Sequence, residues 1–132
     1  MSSIKKFEDI NAWQKARELT SDIYHITDEG EFSNDFTLRN QIKKASTSIM
    51  LNIAEGFARN TDREFNQFLT YAHGSCAEVQ SALYIALDQK YISKEQFTTL
   101  YSKTEEISKM IMNFSSYLSK NINKKTSDSK DP

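Results

Sequence analysis

Turn punctuation is nearly missing from this sequence: three glycines (Gly30, Gly56, Gly74) and one proline, Pro132, stand in 132 residues. A sandwich, barrel or meander needs such residues at its reversals, so an all-β fold is excluded. Valine is scarcer still. Val79 stands alone against eight leucines, and no alternating segment lies between turn signals, which argues against a buried parallel sheet. A single cysteine, Cys76, cannot close an intrachain disulfide and points to a reducing compartment. No stretch approaches the roughly 20 apolar residues of a membrane span, and Met1-Ser2-Ser3-Ile4-Lys5-Lys6-Phe7-Glu8-Asp9 turns acidic where a signal peptide needs its apolar region. A cytosolic protein is expected. An excess of one charge sign is lacking too: the net charge is −1 and the pI about 6.1, giving no global drive toward nucleic acid or an anionic membrane.

What is present is helical periodicity. Ile, Leu, Phe and Val make up 29 of the 132 residues, above the roughly 20% floor for folding, and the length suits one domain. Apolar positions recur at steps of three and four. The first stripe is Ala12, Ala16, Leu19, Ile23, Ile26, with Asp9 as N-cap and an end near Gly30. The second begins at Phe36 and runs Leu38, Ile42, Ala45, Ile49, Ile53 to about Ala58. The third, Phe65, Leu69, Ala72, Cys76, Val79, Leu83, Ala86, follows a capping box at Thr61-Asp62-Arg63-Glu64. The fourth, Phe97, Leu100, Thr104, Ile107, Ile111, Phe114, Leu118, follows a second box at Ser93-Lys94-Glu95-Gln96. The pattern predicts an all-α, antiparallel up-down four-helix bundle over 1–119, with helices at about 9–28, 36–58, 62–89 and 94–119. Residues 120–132, without an apolar residue from Lys124 to Asp131, read as a disordered polar tail.

Charge alternates along the chain. Residues 1–35 carry four basic and eight acidic groups, residues 36–63 five and two, and residues 64–89 none and three. Such contacts bias helix pairing by less than about 1 kcal/mol each.

Apolar and small residues also fall where the bundle core does not need them. Met50, Leu51 and Ala54 lie opposite the Leu38–Ile49 stripe, with Phe57 to its side. On the third helix Thr70, Gly74, Ala77 and Ser81 form a second seam opposite Phe65 and Leu83. Gly74 costs about 1 kcal/mol against Ala inside a helix, which favours a packing role. These are either ordinary surface residues or a self-association surface, and the second is the expectation. Two different patches suit a head-to-tail ring better than a dimer.

The residues offer little for catalysis or metal binding. Asp22-Ile23-Tyr24-His25 alone approaches the Glu-x-x-His spacing of a di-iron bundle, and His73 has no carboxylate three residues before it. Cys76 falls on the core stripe, Ser75 has no recognisable base nearby, and Gly56 and Gly74 are isolated rather than a phosphate loop. No enzyme, cofactor or metal is expected. Asn52, Glu55, Ser75 and Glu78 sit where they would fix helix register through buried or interfacial hydrogen bonds, or else stay solvated. Arg39, Lys43, Lys44, Arg59 and Arg63 are the candidate contacts to RNA or DNA: a modest patch in one subunit that a ring would multiply, or simply a solvated basic helix.

Several segments resemble a known family. They are Asp9-Ile10-Asn11-Ala12-Trp13-Gln14-Lys15-Ala16; Gln41-Ile42-Lys43-Lys44-Ala45 with Ser48-Ile49; Asn52-Ile53-Ala54-Glu55-Gly56-Phe57-Ala58-Arg59; Phe65 to Leu69; and Ala72-His73-Gly74-Ser75. They resemble, over about residues 7–118, the four-helix-bundle proteins encoded in intervening sequences of large ribosomal RNA genes. The resemblance implies a bundle assembled as a homopentamer, of largely unassigned biochemical role. A related branch comprises accessory proteins of diversity-generating retroelements, basic pentamers that bind nucleic acid. This sequence departs from the family at Met50, where a proline is usual, and at Ser33, where one often follows the phenylalanine matching Phe32, so any kink in the second helix should be weaker. It also lacks the strongly basic character of the retroelement proteins.

Overall fold

The computed structural model describes residues 4–130 and, from 125 onward, the backbone alone. Four helices form: α1 Asn11–Thr27, α2 Phe36–Phe57, α3 Asp62–Asp88 and α4 Lys94–Lys130. Short 3-10 turns precede α1 at Phe7–Asp9 and α2 at Gly30–Asn34. No strand occurs among the described residues.

Each helix packs on two neighbours in the cyclic order α1, α2, α3, α4. Paired residues run in opposite senses across the seams. Thr20 reaches Ser46 while Lys43 reaches Asp28 across α1–α2, Asn66 meets Ser119 while Gln80 meets Glu105 across α3–α4, and the bundle is antiparallel throughout. The core is the expected one. Every residue of the first and third stripes is buried, as are Leu38, Ile42, Ala45, Ile49 and Ile53 of α2 and Leu100, Thr104, Ile107, Ile111 and Leu118 of α4. Phe36 departs from its stripe at 62% exposed, held at the surface under the Arg39 guanidinium, 5.0 Å from its ring. The buried Thr27, Ser46 and Thr104 hydroxyls each donate to a carbonyl three or four residues back, so none is left unsatisfied.

Helix ends follow local chemistry, with three departures from the sequence reading. Asp9 is not the cap of α1. It belongs to the 3-10 turn, where its carboxylate accepts from the backbone N–H of Lys5 and Lys6, and Ile10 takes the N-cap position. Asp35 caps α2 by accepting from the Leu38 N–H, 3.0 Å. Its other carboxylate oxygen accepts from the Tyr91 hydroxyl, 3.0 Å, and so ties the α1–α2 link to the α3–α4 link. Ser93 and Gln96 form a complete capping box. At Thr61 the hydroxyl serves the Glu64 N–H, but the Glu64 carboxylate takes the Thr61 hydroxyl rather than a backbone donor. Finally, α4 continues to Lys130, past the boundary expected near 119. No glycine or proline stands between Gly74 and Pro132 to stop it, although Leu118 is its last buried residue among those whose side chains are described. Asp131 and Pro132, the end of the expected tail, lie outside the described residues.

α2 runs unbroken through Met50, in keeping with a non-proline residue there. It approaches α3 tightly at Gly56. A Cβ at that position would stand 2.8 Å from Phe68 Cβ and 2.9 Å from Phe65 Cδ1. The glycine of the Asn-Ile-Ala-Glu-Gly segment thus sets the spacing of α2 and α3.

Candidate interaction surface on α2 and α3

Among the described residues, the eight expected interface residues divide into two groups. Met50 and Phe57 are half-buried against the core of their own subunit, and the Phe57 ring meets Phe65 edge-on at 6.0 Å. Both are thus partly covered within their own subunit and are less free than the sequence reading had them. Leu51 is 59% exposed, with Ala54 half-buried beside it. On α3, Thr70, Gly74, Ala77 and Ser81 are all exposed, and a side chain built at Gly74 would find no atom within 4 Å. The bundle therefore supplies no packing reason for Gly74.

The exposed α3 stripe is wider than the sequence reading made it. Ile85, 48% exposed, continues it one turn after Ser81, and Tyr71 and Tyr84 flank it at 49% and 51%. Ile85 was within reach of the four-residue spacing. The tyrosines were not, because their exposure depends on how α3 is rotated between α2 and α4.

Polar residues fill the groove between α2 and α3. The Asn52 amide donates to the Ser48 carbonyl, 2.8 Å, and to Ser48 Oγ, 2.9 Å. Ser75 Oγ lies 2.9 Å from the same Ser48 oxygen and 3.2 Å from the Tyr71 carbonyl, with its one proton shared between those choices. The Ser75–Ser48 hydrogen bond joins α3 to α2, whereas both Asn52 bonds stay within α2. Neither Glu55 nor Glu78 bonds across helices among the described residues. Glu55 is exposed and pairs with Arg59 at 3.1 Å, and Glu78 is exposed with no ion pair or hydrogen bond among the described residues.

The five basic candidates are not one patch. Arg39, Lys43 and Lys44 sit in the first half of α2, whereas Arg59 and Arg63 flank its far end, about 21 Å away along the helix. Three are already engaged. Arg39 donates to the Ser33 carbonyl at 2.9 Å beneath its stack on Phe36, while Nε is buried with no hydrogen-bond partner. Lys43 lies over the Tyr24 ring at 4.7 Å and 3.9 Å from Asp28. Arg59 covers Phe68 at 4.8 Å and reaches both Glu55 and Glu64. Lys44 and Arg63 are exposed and have no partner among the described residues.

Burial, with a smaller contribution from Glu105, pushes the Cys76 thiol up to about 12, so it stays protonated near neutrality. Asp22 pairs with Lys103 at 2.7 Å, and the His25 ring bonds the Ser21 carbonyl. An open groove of about 850 Å³ lies between α1 and α4, and Ser93 in its lining is held by its cap role. Among the described residues no three His, Cys, Asp or Glu side chains gather closely enough to hold a metal ion, and no helix is long and apolar enough to cross a membrane.

A search of curated proteins gives no match. Among solved structures, the chain is similar to a protein of unknown function from the S23 ribosomal protein family of Bacteroides thetaiotaomicron, with a TM-score of 0.74 and 23% identity over 80% of this chain and 95% of that one. At that identity the likeness carries the fold. The family model described as 23S rRNA-intervening sequence protein matches residues 8–113, which takes in the capped helices, the Gly56 contact and both exposed faces, and the chain belongs to that family.

Proposed function

We propose that this protein is a non-enzymatic cytosolic scaffold that works as a closed homo-oligomeric ring, pentameric as the resemblance implies. The observation that carries this reading is the surplus outside the core: Leu51 stands exposed on α2 while α3 presents open space at Gly74 beside an exposed Ile85. Burying a leucine or isoleucine side chain is worth about 1.5–3 kcal/mol. A copy of the same chain is always at hand, and two unlike faces form a heterologous contact that closes into a ring. Light scattering on the purified chain tests it. The expected result is one species of about five times 15.2 kDa; a lone subunit at every concentration overturns it.

A second reading, a nucleic-acid adaptor, rests on Lys44 and Arg63, which are exposed and unpaired among the described residues. Repeated around a ring they would track a phosphate backbone with an affinity that falls steeply with salt. A gel shift with structured RNA and duplex DNA at about 50 mM salt tests it. A shift weakened by Arg63→Glu, which lies outside the α2–α3 contact faces, supports it, and no shift removes it.

A further inference from the structure

The two exposed faces match each other level by level. On the ring reading above, on which this rests, we infer that they are the two halves of one contact: the outward face of α2 in one copy docks on the outward face of α3 in the next, with Leu51 seated beside Gly74 and Lys44 facing Glu78. The register comes from within one bundle. Ser48 meets Ser75 and Gly56 meets Phe68, so antiparallel α2 and α3 place Leu51 at the level of Ala72 and Lys44 at that of Val79. A ring whose axis runs along the bundle keeps those levels between copies. Lys44 then stands level with Glu78, Ala54 with Thr70, and Leu51 between Thr70 and Gly74.

Shape and charge agree with that register. Leu51 is the protrusion, and the notch is Gly74, where nothing lies within 4 Å of an added Cβ. Lys44 and Glu78 are both exposed and neither pairs within the described part of its own subunit. Both lie on the side of their helix nearer the α2–α3 groove, so the docked faces bring them to the same edge of the contact. The two faces lie on neighbouring corners of the bundle, so the contact is heterologous, and it makes a ring where successive rotations close on themselves. The groove holding Ser48, Asn52 and Ser75 then faces the ring axis.

Cysteine cross-linking of the full chain tests the register. Within one subunit Ala54 and Thr70 point away from each other on different corners, so a disulfide between cysteines placed there must join two copies. Ala54→Cys with Thr70→Cys, oxidised and run without reductant, should give a ladder of covalent multimers that neither single variant gives. A second measurement covers a double variant that fails to fold. Lys44→Glu alone and Glu78→Lys alone should each raise the concentration at which the assembly falls apart by about tenfold, and the two together should restore it. An oligomeric wild type with no ladder and no charge rescue overturns the register and leaves the ring standing. A wild type that is a single subunit at all concentrations overturns both.

Discussion

Phe68 Cβ lies 2.8 Å from where a side chain at Gly56 would begin. That atom is fixed to the α3 backbone and has no rotamer by which to withdraw. Gly56→Ala must therefore push α2 and α3 apart, and overpacking of this kind costs about 1–3 kcal/mol, against a gain of about 1 kcal/mol in helix propensity. Net destabilisation is the expected outcome in urea denaturation. A variant as stable as the wild type would show that the two helices are not as closely spaced as the structure has them.

Gly74 makes the opposite case. With open space around it in the subunit, Gly74→Leu should leave helicity unchanged by circular dichroism and raise intrinsic helix stability by up to about 1 kcal/mol. If α3 receives a neighbouring copy there, the same change splits the assembly. Sedimentation velocity of the variant should show the lone subunit, and an oligomer of unchanged size would remove Gly74 from the contact.

These two glycines show how far the sequence could be read. Stripe spacing sufficed for the four helices and almost all of the core, because burial at steps of three and four needs no knowledge of partners. It could not tell Gly56 from Gly74, since both interrupt a helix and only the position of Phe68 separates a close approach from open surface. It missed the partial burial of Met50 and Phe57 for a related reason: at the edge of a stripe, whether a side chain joins the core depends on where the neighbouring elements lie, as Phe65 does for Phe57. The basic residues and their positions along α2 and at its far turn were legible, but not the rings and carboxylates that engage Arg39, Lys43 and Arg59.

Asp35 holds two elements with one carboxylate, the first turn of α2 through the Leu38 N–H and the α3–α4 link through Tyr91. The hydrogen bond to Asp35 holds the Tyr91 hydroxyl above its ordinary titration range. Tyr91→Phe removes one hydrogen bond and should cost about 1 kcal/mol. Asp35→Ala removes the cap as well and should cost about 1 kcal/mol more. In a double-mutant cycle the Tyr91 effect should vanish in the Asp35→Ala background; equal effects in both backgrounds would mean that the two groups do not interact.

Cys76 supplies a pH dependence whose sign can be worked out. Burial, and to a lesser degree Glu105, raises the thiol from 9.0 to about 12 in the folded chain. Above pH 9 the unfolded chain loses this proton while the folded chain keeps it, so the unfolded state binds fewer protons and stability falls as pH rises. The contribution is complete below about pH 9 and is lost progressively between pH 9 and 12. Integrated from pH 8 to pH 10, it amounts to about 1.4 kcal/mol. Tyr91 and Tyr101 are raised as well and act in the same direction, so the thiol must be isolated by difference. Urea denaturation at the two pH values should show the wild type losing about 1.4 kcal/mol more than Cys76→Ala, whatever the absolute cost of that substitution. Equal losses in the two proteins would mean that the thiol titrates alike in the folded and unfolded chains, and that Cys76 is not in the dry core.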